Sequence, residues 1–261
     1  MITEKVLEGM FKPVQSPWKT SITKVEPNKL TTRGFKQEDL IGGISFSEMV
    51  YLLVKGNIPM EKNKKMLEAI LVSFCDHGVT PPSTQSARLM ASAGSTVNAC
   101  VAGGILAFGE NHAGAIEKTM KNLQEAIKVS EVYKRSPSEA AKYIVEEHKK
   151  NGKKVPGFGH RYHTEDPRAR KLLELADTYD CNGIHYELAI EIEKILTAKN
   201  GIKMNIDGAN AAILSDMEFN WRFGCGMFII GRIPGLLAHI NEEISNEEPF
   251  RKIAQNNGFS I

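Results

Sequence analysis

The stretch VPGFGHRYHTEDPRAR, Val155 to Arg170, decides how this chain is read. It sets His160 between Gly159 and Arg161, with Asp166-Pro167-Arg168 downstream. Gly159 lets the backbone approach a ligand where any Cβ would clash. His160 offers a proton donor or acceptor near neutral pH, and Arg168 a planar fork for a carboxylate. Pro167 blocks helix before it and suits the first turn of the helix expected over ARKLLELADTY. The stretch reads as a ligand-binding loop running into a helix.

Working outward, GENHAGAIEKTM (Gly109–Met120) puts His112 just ahead of one helix, and NIDGANAAIL (Asn205–Leu214) puts Asp207 just before an apolar helical run. Each of the three residues stands at a helix start or in a Gly-rich turn, so together they form a candidate acid–base set. The three segments resemble, in kind and order, those of the citrate synthase superfamily. That family carries one histidine in an HGGA-like turn, a second in GFGHR…DPR and an aspartate in a later turn. Three further segments extend the resemblance over most of the chain: Thr31–Pro59, Ser73–Ser95 (with His77 and Arg88) and Gly231–Glu243 (with Arg232 and His239).

The resemblance implies an all-α citrate synthase fold. A large domain of residues 1–112 plus 216–261 would carry an inserted small domain, 113–215, with the site in the cleft between them. It implies catalytic roles for His112, His160 and Asp207, and substrate binding by His77, Arg168 and Arg232. It further implies that Val155, Pro156, Gly157, Phe158, Gly159 and Arg161 bind CoA, the backbone of Val155–Gly159 holding its adenine end, and that CoA enters as part of the substrate. No separate cofactor is implied. His239 follows the family's AH pattern and needs no chemical role.

Composition sets the wider bounds. The chain has 261 residues, 42% hydrophobic and 25% charged, with a net charge of +2. That is ordinary for a soluble globular protein and too mild to argue for nucleic acid or a membrane surface. EEHKKNGKK (Glu146–Lys154) is mixed in sign and reads as a solvated face; its lysines, Lys149, Lys150, Lys153 and Lys154, equally stand just before the GFGHR loop, where they could attract a CoA phosphate. No apolar run is read as long enough to span a bilayer, and the N-terminus lacks a secretory apolar core. Cys75, Cys100, Cys181 and Cys225 show no CxxC spacing and read as reduced core residues. His160 and His163, with His185, lack a cysteine or carboxylate to complete a metal-ligand pattern. A cytoplasmic protein is expected.

Nearly every periodic segment is helical. Ser45 with Glu48, and Ser136 with Glu139, are capping boxes. Residues 1–35 are irregular, with a short hairpin expected around SPWKTSITKVEPNKLTTRG. Val97–Phe108 is rich in small residues and is expected to be a buried helix, suited to a subunit interface. Trp221–Gly231 and Ile233–Ile244 read as separate helices.

The chain departs from the synthase pattern in three ways. It lacks the family's N-terminal portion, its GHR-to-DPR spacing is one residue shorter, and it has no C-terminal RPxxxYxG arginine, for which Arg251 is a weak substitute. These features look more like the short citryl-CoA lyases and the lyase module of ATP-citrate lyase. The expectation is therefore a homodimeric citryl-CoA lyase that yields acetyl-CoA and oxaloacetate, with a citrate-activating ligase as a possible partner. A citrate or 2-methylcitrate synthase of the tricarboxylic acid cycle type, and a non-catalytic CoA- or citrate-binding subunit, are the alternatives.

Overall fold

The computed structural model describes residues 3–6, 19–160 and 164–252. Its contacts separate into two units, Met1–Ile58 and Pro59–Ile261.

The first unit holds the described strands: β1 (Thr23–Glu26), β2 (Lys29–Thr32) and β3 (Phe35–Lys36), antiparallel in the order β1-β2-β3. Glu26 pairs with Lys29 across Pro27-Asn28, where Asn28 takes a positive φ of 56°. Proline followed by a left-handed asparagine is the requirement of a type II turn. The β2–β3 turn has positive φ at both Arg33 and Gly34, as a two-residue hairpin of matched twist needs. The expected hairpin is therefore present, with a third short strand that the alternation of Thr20, Ile22 and Lys24 did not announce. The short α1 (Gln37–Leu40) follows. α2 (Phe46–Lys55) starts at the expected Ser45/Glu48 capping box and stops at Gly56 in the left-handed conformation.

The second unit is helical: α3 (Glu61–Phe74), α4 (Pro82–Ser92), α5 (Val97–Leu106), α6 (Gly114–Tyr133), α7 (Pro137–Lys150), α8 (Pro167–Thr178), α9 (Ile184–Asn200), α10 (Ile206–Asp216) and α11 (Gly224–Asn246), with a 3₁₀ turn at Trp221–Phe223. The fold class is all-α, as expected. At its centre lies α10, buried at every position except Asp207 and Asp216. Its alanines and glycine let α6, α8 and α9 close around it, the pattern of a helix with no solvent face. Gly208 is obligatory there, since a Cβ would strike the Gly157 carbonyl oxygen. Helix and GFGHR loop are in backbone contact.

Three expectations change. The two helices expected around Arg232 are one, α11, with Pro234 inside it. Proline removes one hydrogen bond and normally kinks or ends a helix, but α11 is clasped by α3, α4, α5 and α6 along its length, and packing outweighs that loss. Trp221–Asn246 also meets the length and apolarity of a bilayer span, against the expectation that no run does; 44% of its most apolar window is buried, and it carries two buried charged residues, Arg232, which donates to the Phe74 carbonyl, and Glu243, which pairs with Arg88. It reads as a core helix. Finally, α5 is not a buried helix: among its ten residues only Cys100 and Gly104 are buried, while Leu106 is 83% exposed. Small residues on one face, Gly103 against Met90 and Gly104 against Leu236, explain its composition, and the opposite face stays open.

Candidate active site

His112 is held by an unusual local turn. Gly109 and His112 exchange backbone hydrogen bonds of 2.8 and 3.1 Å, and Ala113 adopts a left-handed φ of 67° before α6 begins. The imidazole Nε2 lies 2.8 Å from the Ser83 hydroxyl, and Ser83 is fully buried in the first turn of α4. Phe108 and Phe228 meet the ring nearly edge-on at 5.2 and 6.0 Å. The histidine is thus fixed in an apolar, oriented setting.

Asp207 lies two positions deeper in its helix than the sequence suggested, inside the first turn rather than ahead of it. Asn205 is the cap of α10, its side-chain oxygen accepting from the N–H groups of Asp207 and Gly208. Asp207 therefore occupies the first turn with its carboxyl directed elsewhere than to capping. Burial drives its pKa up to about 6; Arg168 and Arg232 oppose the rise and Asp166 adds to it. A carboxyl titrating there can both take and return a proton near neutrality.

The other side of the site is densely charged. Asp166 caps α8 and chelates the Arg168 guanidinium, through Nε at 3.0 Å and Nη2 at 2.9 Å. Burial raises the Asp166 carboxyl, but Arg168 and the N–H groups of Arg168 and Ile206 outweigh it and hold the group below the usual range. Arg232, 3% exposed, donates from Nε to the Phe74 carbonyl at 2.7 Å and stacks on Phe228. Its buried Nη1 has no hydrogen-bond partner. A buried guanidinium N–H left unpaired is costly, and a carboxylate is the complement that would satisfy it. The His77 ring stands 5.8 Å from that of His160. Burial first, then Arg168 and Arg232, depress the His77 pKa, which leaves a neutral hydrogen-bonding imidazole at neutral pH. The turn that carries His77 is anchored by Asp76, which accepts from Gly78 N–H and pairs with His239 at 2.9 Å.

All six residues proposed for catalysis and substrate binding, His77, His112, His160, Arg168, Asp207 and Arg232, line one cavity of about 330 Å³. A second hollow, about 960 Å³, adjoins it through Gly159 and His160, which line both. Its walls include Val155, Phe158, Lys149, Lys153, Lys154 and Lys199. Of the residues expected to hold CoA, Val155, Phe158 and Gly159 line this groove. Pro156 and Gly157 do not; Gly157 packs against Thr119 and α10 instead. Arg161 and His163 lie outside the described residues. Arg88 and Arg251 do not line the cavity: both are committed to the buried Glu243. Among the described residues, no group of three or more His, Cys, Asp or Glu is placed to hold a metal ion.

Sequence reading missed Ser83, Asn205 and the chelating role of Asp166. The Asp-Pro and Asn-Ile-Asp spacings signal helix caps, but nothing local announces contacts made across 29 and 40 residues.

The citrate synthase C-terminal domain matches residues 59–253. The chain belongs to the citrate synthase family. Among curated family members it is 28% identical to the citrate synthase of Heyndrickxia coagulans, over 80% of this chain and 55% of that one, and 31% identical to that of Synechocystis, over 78% and 51%. It thus spans about half the length of the curated relatives it matches. Among solved family structures, the citryl-CoA lyase from Hydrogenobacter thermophilus superposes with a TM-score of 0.85, at 40% identity over 94% of both chains. The ATP citrate lyase of Methanothrix soehngenii, at 20% identity and a TM-score of 0.78, covers 98% of this chain and 44% of that one, and shares the fold.

Proposed function

We propose that this chain acts as a citryl-CoA lyase, reversibly cleaving citryl-CoA to acetyl-CoA and oxaloacetate. One observation carries the reading: His112, His160 and Asp207 share a cavity with Arg168 and Arg232, in a chain that matches a citryl-CoA lyase over nearly the whole length of both.

The residues divide the work. Arg168, Arg232 and the neutral His77 hold the carboxylates of the oxo-acid half. His160 takes the proton of the tertiary hydroxyl as the carbinol becomes a ketone. The bond from the carbinol carbon to the thioester α-carbon breaks, and its electron pair passes into an enolate. His112 donates a hydrogen bond to the thioester oxygen where that charge develops, and its contact with Ser83 keeps the ring aimed. Asp207, protonated, delivers its proton to the α-carbon and completes the acetyl methyl. The hydroxyl proton taken up by His160 balances the one Asp207 gives. Condensation runs the same steps in reverse.

The lysine groove fits the phosphates of the CoA moiety, with the thioester reaching the cavity past Gly159 and His160. Residues 113–215 would move as a small domain that closes on the substrate. The exposed face of α5, with Val97 and Leu106, suits a homodimer contact, and the free cysteines fit a reducing cytoplasm. A citrate-activating ligase would supply citryl-CoA.

A paired assay tests the reading. Purified protein with citryl-CoA should release oxaloacetate, followed with malate dehydrogenase and NADH. With acetyl-CoA and oxaloacetate it should release little free thiol. Rapid thiol release would make it a synthase, as its curated relatives are named, and silence in both tubes would favour a binding subunit.

A further inference from the structure

The side chain of Asp166 is wholly buried and uses both oxygens. Oδ1 accepts from Arg168 N–H at 3.1 Å and from Nε at 3.0 Å. Oδ2 accepts from Arg168 Nη2 at 2.9 Å and from the Ile206 N–H at 3.2 Å, and stands 3.9 Å from His160 Nε2. Ile206 opens α10 and directly precedes Asp207. A residue needed only to cap α8 would use one oxygen and one N–H. The remaining contacts reach Arg168, His160 and the residue that precedes Asp207, on three separate segments.

We infer that Asp166 is the positioning residue that couples the two halves of the reaction, aiming Arg168 and His160 at the oxo acid while fixing the start of the helix that carries Asp207. This deepens the citryl-CoA reading and rests on it. Asp166 also sets the charge that Asp207 meets. Facing Asp207 across the cavity are Glu110 and His112 ahead of α6, His77 after α3, His160 in the loop, Arg168 on α8 and Arg232 on α11. Arg168 and Arg232 favour the carboxylate, while Asp166 counters them and helps keep Asp207 a proton carrier near neutrality.

The test compares Asp166→Asn and Asp166→Glu with wild type in citryl-CoA cleavage across pH, with oxaloacetate binding followed by calorimetry. In Asp166→Asn the alkaline fall in kcat, which reports loss of the Asp207 proton, should move about one unit toward acid, and KM should rise about tenfold as Arg168 loses its aim. Asp166→Glu keeps the charge but shifts the carboxylate by a methylene, so the limb should stay in place while KM still rises. A folded Asp166→Asn with the wild-type limb and wild-type KM overturns the inference. If that variant does not fold, an Asp166→Glu enzyme with wild-type KM overturns it. Should wild type itself cleave nothing, the functional reading fails separately. The inference then stands on weaker oxaloacetate binding by Asp166→Asn and falls on equal affinities.

Discussion

The cavity and the groove meet at Gly159 and His160 but are built on opposite principles. In the cavity three polar side chains are tied down: Arg168 by Asp166, Arg232 by the Phe74 carbonyl, His112 by Ser83. In the groove the positive charge is carried by Lys149, Lys153, Lys154 and Lys199, all exposed and on flexible stems. For the proposed reaction the cavity needs atoms in fixed places because bond breaking depends on sub-ångström aim. The groove, in its proposed role, needs only a field that draws phosphate oxygens, and a field tolerates motion. Rigid arginine for the reacting end and mobile lysine for the distant handle follow from the chemistry of the two side chains.

The largest effect that would sharpen this contrast is at Asp207. Asp207→Asn should lower kcat by roughly 10²–10⁴-fold with KM little changed; a variant that turns over at the wild-type rate would remove Asp207 from the chemistry. Next comes Arg232→Gln, for which kcat/KM should fall about a hundredfold through loss of the oxo-acid carboxylate, measured with oxaloacetate as the varied substrate. The pH response is the third test. Cleavage needs Asp207 protonated, so its rate should fall as pH rises above about 6, by roughly tenfold per unit. Condensation needs the carboxylate and should fall below the same point. Identical profiles in both directions would break the assignment. Ser83→Ala should cost about tenfold in kcat, the worth of one buried hydrogen bond. The smallest effect belongs to the groove: Lys153→Ala with Lys154→Ala should raise KM for the CoA ester several-fold at low salt, with the difference fading near 1 M salt, where screening acts within ~3 Å. A salt-independent defect would mean that the lysines act by contact rather than by field.

How far the site was legible from the sequence follows the same division. The residues proposed to meet substrate sit in short motifs whose glycines, prolines and histidines are visible in a line of text, and all six line one cavity. The residues that aim them were not visible. Ser83 reads as an ordinary early-helix serine until α4 is packed beside the His112 turn, and Asp166 reads as a cap until α10 is brought up to it. Helix existence was legible from periodicity and caps, as at Ser45 and Ser136. Continuity through Pro234 was not, because it depends on the four helices that clasp α11.

Asp207 has one more consequence, for how the protein tolerates change. Its carboxyl binds a proton more tightly in the folded chain, at about 6, than in the unfolded chain, near the ordinary 3.8. Between these values the unfolded state releases its proton first, so folding stability falls as pH rises through that window, and it stays lower above it. At neutral pH the deficit is on the order of 3 kcal/mol, a sizeable share of what holds a typical domain folded. Asparagine at position 207 would escape it. A mutant library sorted by thermal resistance alone, with no substrate present, would therefore enrich inactive chains at this position, and any campaign to toughen the enzyme must score turnover in the same round.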